Sequence, residues 1–221
     1  TFPLHARIIR AFGWPEPVFV HLSVFLNPSG KGKMSKRNLK SEQEIFVLGM
    51  RDQGYLPEAL LNWVAQMGAS FGGDDDILTL DDLIARFSLD HLTPAAARVN
   101  YEKLDHFNGV FIRHLAPDEL ARRIAPYFAQ ADIPANAPML ERIAPLIQER
   151  ITTLDEAVEM AGFFFRADVT PDPADLLSKG LTPAECAAAA RRARAECAAA
   201  PDFRHETLEA PLRALADELG L

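Results

Sequence analysis

Helix-start signals recur from residue 41 to the end of this chain, and they constrain its fold more than any other feature. Ser41-Glu42-Gln43-Glu44 has the form of a capping box, in which the Ser oxygen meets an orphan amide and Glu44 reaches back. The helix it opens runs to about Gln53 and stops at Gly54. Pro57 suits a first helical position. Behind it Ala59, Leu60, Trp63, Val64 and Met67 form an apolar stripe of helical period, ending at Gly68. Thr79-Leu80-Asp81-Asp82 opens another helix and Thr93-Pro94 one more, with a Gly/Asp loop over 70–76 before them. From Pro117 onward the pattern is short helices and short links, with Pro134, Pro138, Pro171 and Pro173 marking the links. Thr153-Leu154-Asp155-Glu156 and Thr182-Pro183-Ala184-Glu185 are further capping boxes. An Ala-rich helix spans 184–200 until Pro201, and a last one spans 206–219 until Gly220. With 48% hydrophobic residues to pack, this punctuation predicts a mostly α fold.

The front differs. Leu4 to Phe12 reads as a short amphipathic helix ending at Gly13, broken by Pro15 and Pro17. Val18 to Leu26 is rich in β-branched and aromatic residues and predicts a strand. Asn27-Pro28-Ser29-Gly30 predicts a turn. Then comes Gly30-Lys31-Gly32-Lys33-Met34-Ser35-Lys36-Arg37-Asn38-Leu39-Lys40, with five cations and no acid. Ammonium groups on long stems can neutralise charge that grows as a phosphate bond breaks. The plainer alternative is a solvated basic loop. The net charge of −8 looks wrong for a nucleic-acid binder, yet residues 1–40 carry seven Lys and Arg against Glu16 alone. Local patches, not totals, decide phosphate binding.

Other classes are excluded or disfavoured. No apolar run approaches the roughly 18 residues of a membrane span, and no signal peptide is recognisable at the front. Cys186 and Cys197 fall on one helical stretch, 11 residues and so about 16 Å apart, beyond disulfide reach. No Cys/His group has metal-ligand spacing, so no metal site is expected. Two reduced thiols fit a cytoplasmic protein. The start at Thr1 is read as a cut within a longer protein.

Lys33-Met34-Ser35-Lys36-Arg37 resembles the KMSKS signature of class I aminoacyl-tRNA synthetases, in the Arg-ending form of the glutamyl and glutaminyl enzymes. Four later runs extend the likeness to the glutamyl-tRNA synthetases in order and spacing. They are Gly54-Tyr55-Leu56-Pro57-Glu58-Ala59-Leu60-Leu61-Asn62-Trp63, then Phe87-Ser88-Leu89, then Lys103-Leu104-Asp105-His106-Phe107-Asn108-Gly109-Val110-Phe111-Ile112-Arg113, then Leu146 to Ile151 leading on to Phe163-Phe164-Phe165. In the third run His106 replaces the family's Trp and Phe111 its Tyr. The resemblance implies ATP-dependent activation of glutamate, with Mg2+, and its transfer to tRNA(Glu); whether tRNA(Gln) is also charged stays open. It further implies a monomer and three parts: the end of a Rossmann-like catalytic domain with a strand and hairpin over 1–40, a stem-contact helical region over 41–115, and an all-helical, bacterial-type anticodon-binding domain over 116–221. The HIGH-like motif and the glutamate pocket of that family have no counterpart in these 221 residues. The chain therefore reads as a C-terminal part trimmed at both ends, inactive when isolated. A tRNA-binding module or truncated paralogue without catalysis is the alternative, and a cysteinyl or lysyl type a weaker one.

The resemblance assigns roles residue by residue. Lys33 and Lys36 stabilise the leaving pyrophosphate. Met34 and Ser35 shape the loop and offer backbone groups near the adenine, with packing as the alternative for Met34. Arg37 is a phosphate contact or a solvated charge. Lys103, Asn108 and Arg113 are tRNA contacts, Asn108 alternatively a turn or cap residue. Gln148 and Arg150 lie near the anticodon, with a surface salt bridge as the alternative for Arg150. His106 and Trp63 are packing residues. Of Phe163, Phe164 and Phe165, which could stack bases, at least two are expected in the core.

Overall fold

The computed structural model describes residues 2–34, 47–73, 76–178 and 180–220, and its chain forms two compact units, Thr1–Arg166 and Ala167–Leu221. Ser35, Lys36, Arg37 and the capping box at Ser41 lie outside the described residues. None of the described helices is long and apolar enough to cross a membrane.

The first unit is helical almost throughout. Helix α1 (Phe2–Ala11) ends before Gly13, whose φ of +66° turns the chain back. Helices α2 (Val47–Asp52), α3 (Pro57–Gly68), α4 (Leu80–Arg86), α5 (Tyr101–Arg113), α6 (Pro117–Gln130), α7 (Ala137–Ile147) and α8 (Glu156–Ala161) follow, with single 3-10 turns at Leu89–His91 and Gly162–Phe165. Pro57 and Pro117 stand in the first turns of α3 and α6, where a missing N–H costs nothing. Thr79 and Asp82 close a full capping box on α4.

Core residues of α3, α5, α6, α7 and α8 form one cluster. Phe107, Leu104 and Ile112 of α5, Ile124 and Phe128 of α6, and Ile143 of α7 are its buried centre. Trp63 is buried as expected, its indole N–H donating to the Asn100 carbonyl at 2.9 Å. Gly54, at φ +85°, is where α2 ends and the chain crosses the start of α8. A Cβ there would stand 2.4 Å from the Leu154 nitrogen, so the close approach requires glycine.

Four expectations about secondary structure and packing fail, each for a physical reason. The strand over 18–26 reduces to Leu26. Val18, Phe19, Val20, Leu22 and Val24 are exposed and unpaired among the described residues, because strand geometry needs a ladder partner that apolar alternation cannot supply. Thr93-Pro94 opens no helix. Residues 97–99 are drawn into pairing with Leu26, and the Asn100 side chain caps α5 instead, accepting from Lys103 N–H. The box at Thr153 forms only in part: the Glu156 carboxylate takes the Thr152 and Thr153 amides, but the Thr153 hydroxyl donates to Asp155. Finally, only Phe165 joins the core, edge-on to Phe128, whereas Phe163 and Phe164 are exposed and stacked on each other at 4.3 Å. A 3-10 turn spreads three successive side chains around its axis, so a single anchor serves.

In the second unit, α9 (Pro183–Ala199) starts with the complete Thr182–Glu185 capping box, and α10 (His205–Leu219) ends at Gly220 with φ +70°. The two helices pack together, tied by a two-pronged Arg192–Glu218 ion pair. Cys186 and Cys197 are both free.

Candidate nucleotide and RNA interface

The head of the cationic run sits on a hairpin. Asn27 N–H donates to the Gly32 carbonyl at 3.1 Å and Met34 N–H to the Phe25 carbonyl at 2.9 Å, so Leu26 faces Lys33 in antiparallel register. Gly30 and Gly32, at φ +73° and +79°, make the tight connection that Asn27-Pro28 begins. The Lys33 side chain is exposed, with no ion-pair partner among the described residues. Met34 is half-buried against the core cluster and its amide is already used. It therefore anchors the second arm of the hairpin, and its N–H is already paired.

The α5 candidates divide sharply. Arg113 is exposed, with its guanidinium folded back over Gly109. Lys103 is held: its ammonium reaches Gln66 at 3.1 Å and Asp76 at 3.3 Å, and stands 5.1 Å from the Phe107 ring centroid. A phosphate would have to compete with those partners. Asn108 is fully buried. Its carbonyl accepts from Leu56 N–H at 2.8 Å, and its amide donates to Thr152 at 2.7 Å and Gly54 at 3.3 Å. It joins three chain segments and has no atom left for RNA, which corrects its assignment as a contact. Periodicity could not separate it from a surface residue, because an Asn within a helix is usually solvated.

Gln148 is likewise engaged. Its amide donates to the carbonyls of Ile112 and Leu115 at 2.9 and 2.7 Å, satisfying the end of α5. Arg150, two residues on, is exposed with no ion-pair partner among the described residues, so the surface salt bridge weighed for it is absent there. Of the cations on α9, Arg192 is committed to Glu218, whereas Arg191 and Arg194 are exposed. His106 is exposed rather than packed inside.

A second electrostatic feature escaped sequence reading. Arg123 of α6 forms a two-pronged bond to Glu58 of α3 at 2.8 and 3.0 Å and also reaches Glu119, which pairs with Arg122. The Arg123 bond lowers the Glu58 pKa below its ordinary value, and the same bond raises that of Arg123. Tyr55, pushed upward by burial and by its 2.5 Å hydrogen bond to Asp105, stays a neutral donor. These groups brace α3 against α5 and α6 and lie apart from the hairpin in sequence and partners.

Two family models cover most of the chain. Residues 2–106 match the catalytic domain of class I tRNA synthetases (E and Q), and residues 119–221 match an anticodon binding domain. The chain is 40% identical over 225 residues to the glutamate–tRNA ligase of Roseiflexus castenholzii, covering 99% of this chain and 44% of the relative. It is 39% identical over 227 residues to that of Chloroflexus aurantiacus, with 98% and 44% covered. A crystal structure of a glutamate tRNA ligase from Elizabethkingia meningosepticum superposes with a TM-score of 0.76 at 28% identity, covering all of this chain and 46% of that one. The chain thus spans a little under half the length of the relatives it matches.

Proposed function

The chain belongs to the glutamate–tRNA ligase family of class I aminoacyl-tRNA synthetases, and on that basis we propose that it supplies the KMSKR loop and the tRNA stem- and anticodon-binding parts of such an enzyme. Residues 1–40 would be the end of a Rossmann-like catalytic domain, 41–115 the stem-contact region and 116–221 the anticodon-binding domain. The observation that carries this reading is the hairpin: Lys33 leaves an anchored Met34 and a glycine turn at the head of an all-cationic run, in a chain whose two halves match the catalytic and anticodon models in that order.

The reaction is glutamate carboxylate attacking the α-phosphorus of ATP, with pyrophosphate leaving; the terminal ribose hydroxyl of tRNA then attacks the adenylate carbonyl and AMP leaves. Lys33 and Lys36 would meet the negative charge gathering on the pyrophosphate, and Arg37 would add a phosphate contact. This donor set suits ATP, being cationic without a competing acid. Mg2+ would arrive bound to the nucleotide's phosphates. Arg113 and Arg150, exposed and without an ion-pair partner among the described residues, are the cations best placed to meet tRNA. tRNA(Glu) is the expected acceptor.

The test is glutamylation by the full-length protein carrying this chain, with tRNA(Glu) and tRNA(Gln) offered separately. Replacing Lys36→Ala should slow adenylate formation on the order of a hundredfold, the usual effect of removing one transition-state charge donor, with tRNA affinity unchanged. A variant within threefold of wild type in single-turnover adenylation refutes the assignment. Tight tRNA binding with no glutamylation by the wild type would favour a binding module instead.

A further inference from the structure

The turn ahead of the KMSKR run carries a cation from a distant part of the sequence. Leu26 N–H donates to the Ala97 carbonyl at 2.8 Å, and Val99 N–H donates back to the Leu26 carbonyl at 3.1 Å. Residues 97–99 thus lie in parallel beside the hairpin, opposite the arm that holds Lys33. Arg98, between the two bonded residues, is fixed in backbone position. Its Cδ lies 3.8 Å from where a Cβ on Gly30 would stand, so its stem runs along the turn. The side chain is exposed and has no ion-pair partner among the described residues.

Lys31 sits in the same turn, exposed, with its backbone held by Asn27 and Ser29 at 3.1 and 3.3 Å. A cleft of about 450 Å³ opens beside the turn at Pro28, lined also by Arg98, Asn100, Tyr101 and Glu102. Met34 stands opposite Phe25, so the chain leaves the hairpin at the end away from the turn. Glu102 in the lining disfavours a polyphosphate, which carries several charges, more than a phosphodiester, which carries one.

We propose that Arg98 and Lys31 form a second phosphate subsite, one that holds a backbone phosphate of the RNA strand and not the nucleotide's triphosphate. This rests on the tRNA-ligase reading above. Long cationic side chains on a fixed turn position a strand without reading its sequence.

The test uses the full-length protein, comparing wild type with Arg98→Ala and Arg98→Lys. Equilibrium tRNA binding is titrated from 50 to 200 mM salt, and KM for ATP is measured in glutamylation. Arg98→Ala should flatten the salt slope by about one unit, so its deficit relative to wild type shrinks about threefold across that range. Arg98→Lys should restore the slope, since a point charge suffices, and KM for ATP should stay within twofold for both. An unchanged slope in Arg98→Ala overturns the subsite, as does an effect confined to KM for ATP. If the wild type binds no tRNA, the ligase reading itself falls, whereas wild-type binding with an unmoved Arg98→Ala slope removes the subsite alone.

Discussion

At the scale of the residue, the decisive contrast is between Asn108 and Arg150. Both are polar residues in runs that resemble tRNA-binding segments, and both are equally plausible from sequence. Burial separates them. Asn108 spends three hydrogen bonds holding α5 to the Gly54–Leu56 turn and to Thr152, whereas Arg150 is exposed with no ion-pair partner among the described residues. Replacing Asn108→Ala leaves the Leu56 amide and two carbonyls unpaired in the interior and should destabilise the fold by about 3 kcal/mol, since an unmet buried group costs about 1–3 kcal/mol. Urea unfolding would read this as a lower midpoint at unchanged slope. Below the transition, tRNA affinity should match wild type. A surface role for Asn108 would give the reverse pattern. Sequence resemblance flagged the right position and the wrong kind of importance, because a pattern of residue types does not carry burial.

At the scale of the element, most helix boundaries among the described residues were legible where the signal was local, the Thr153 box being the exception. The Thr79 and Thr182 boxes, Pro57 at the head of α3 and glycine behind α1, α2 and α10 act within one turn of backbone. Elements that need a distant partner were not legible: the strand over 18–26 lacked one, and the start of α5 moved from Thr93 to Asn100 once residues 97–99 paired with Leu26. The tie between α3 and α6 is of the same distant kind. Glu58 carries a lowered pKa because Arg123 holds its ionised form. Its folded value lies below the unfolded one, so its contribution is complete above the ordinary carboxylate range and disappears as pH falls through the folded value. Glu58→Gln should therefore lower Tm near neutral pH, with the difference narrowing toward pH 3. A gap that stays constant from pH 7 to pH 3 would refute an ionic tie. Because the pair is partly exposed, raising the salt concentration should also narrow the gap.

At the scale of the whole molecule, the two units differ in what they bury. The core cluster belongs entirely to the first unit, whereas Leu215 is the one buried apolar residue among the described residues of the second. Local opening follows buried contact density. Hydrogen exchange should accordingly be slowest in α5, α6 and α7 and much faster in α9 and α10, despite the high helix propensity of the Ala-rich α9. Equal protection in the two units would contradict this ordering. Charge distribution also belongs to this scale: an acidic chain keeps nearly all the surplus positive charge of its front within residues 30–40. The sequence alone determined the helical class, most helix ends, the cationic run and the family likeness, because each is written in spacings of a few residues. Tertiary structure decided which polar residues are consumed in the interior, that 97–99 rather than a longer strand flanks the hairpin, and that Arg98 stands at its turn. Those outcomes depend on segments more than 70 residues apart meeting in space, and no local pattern encodes which of them will meet.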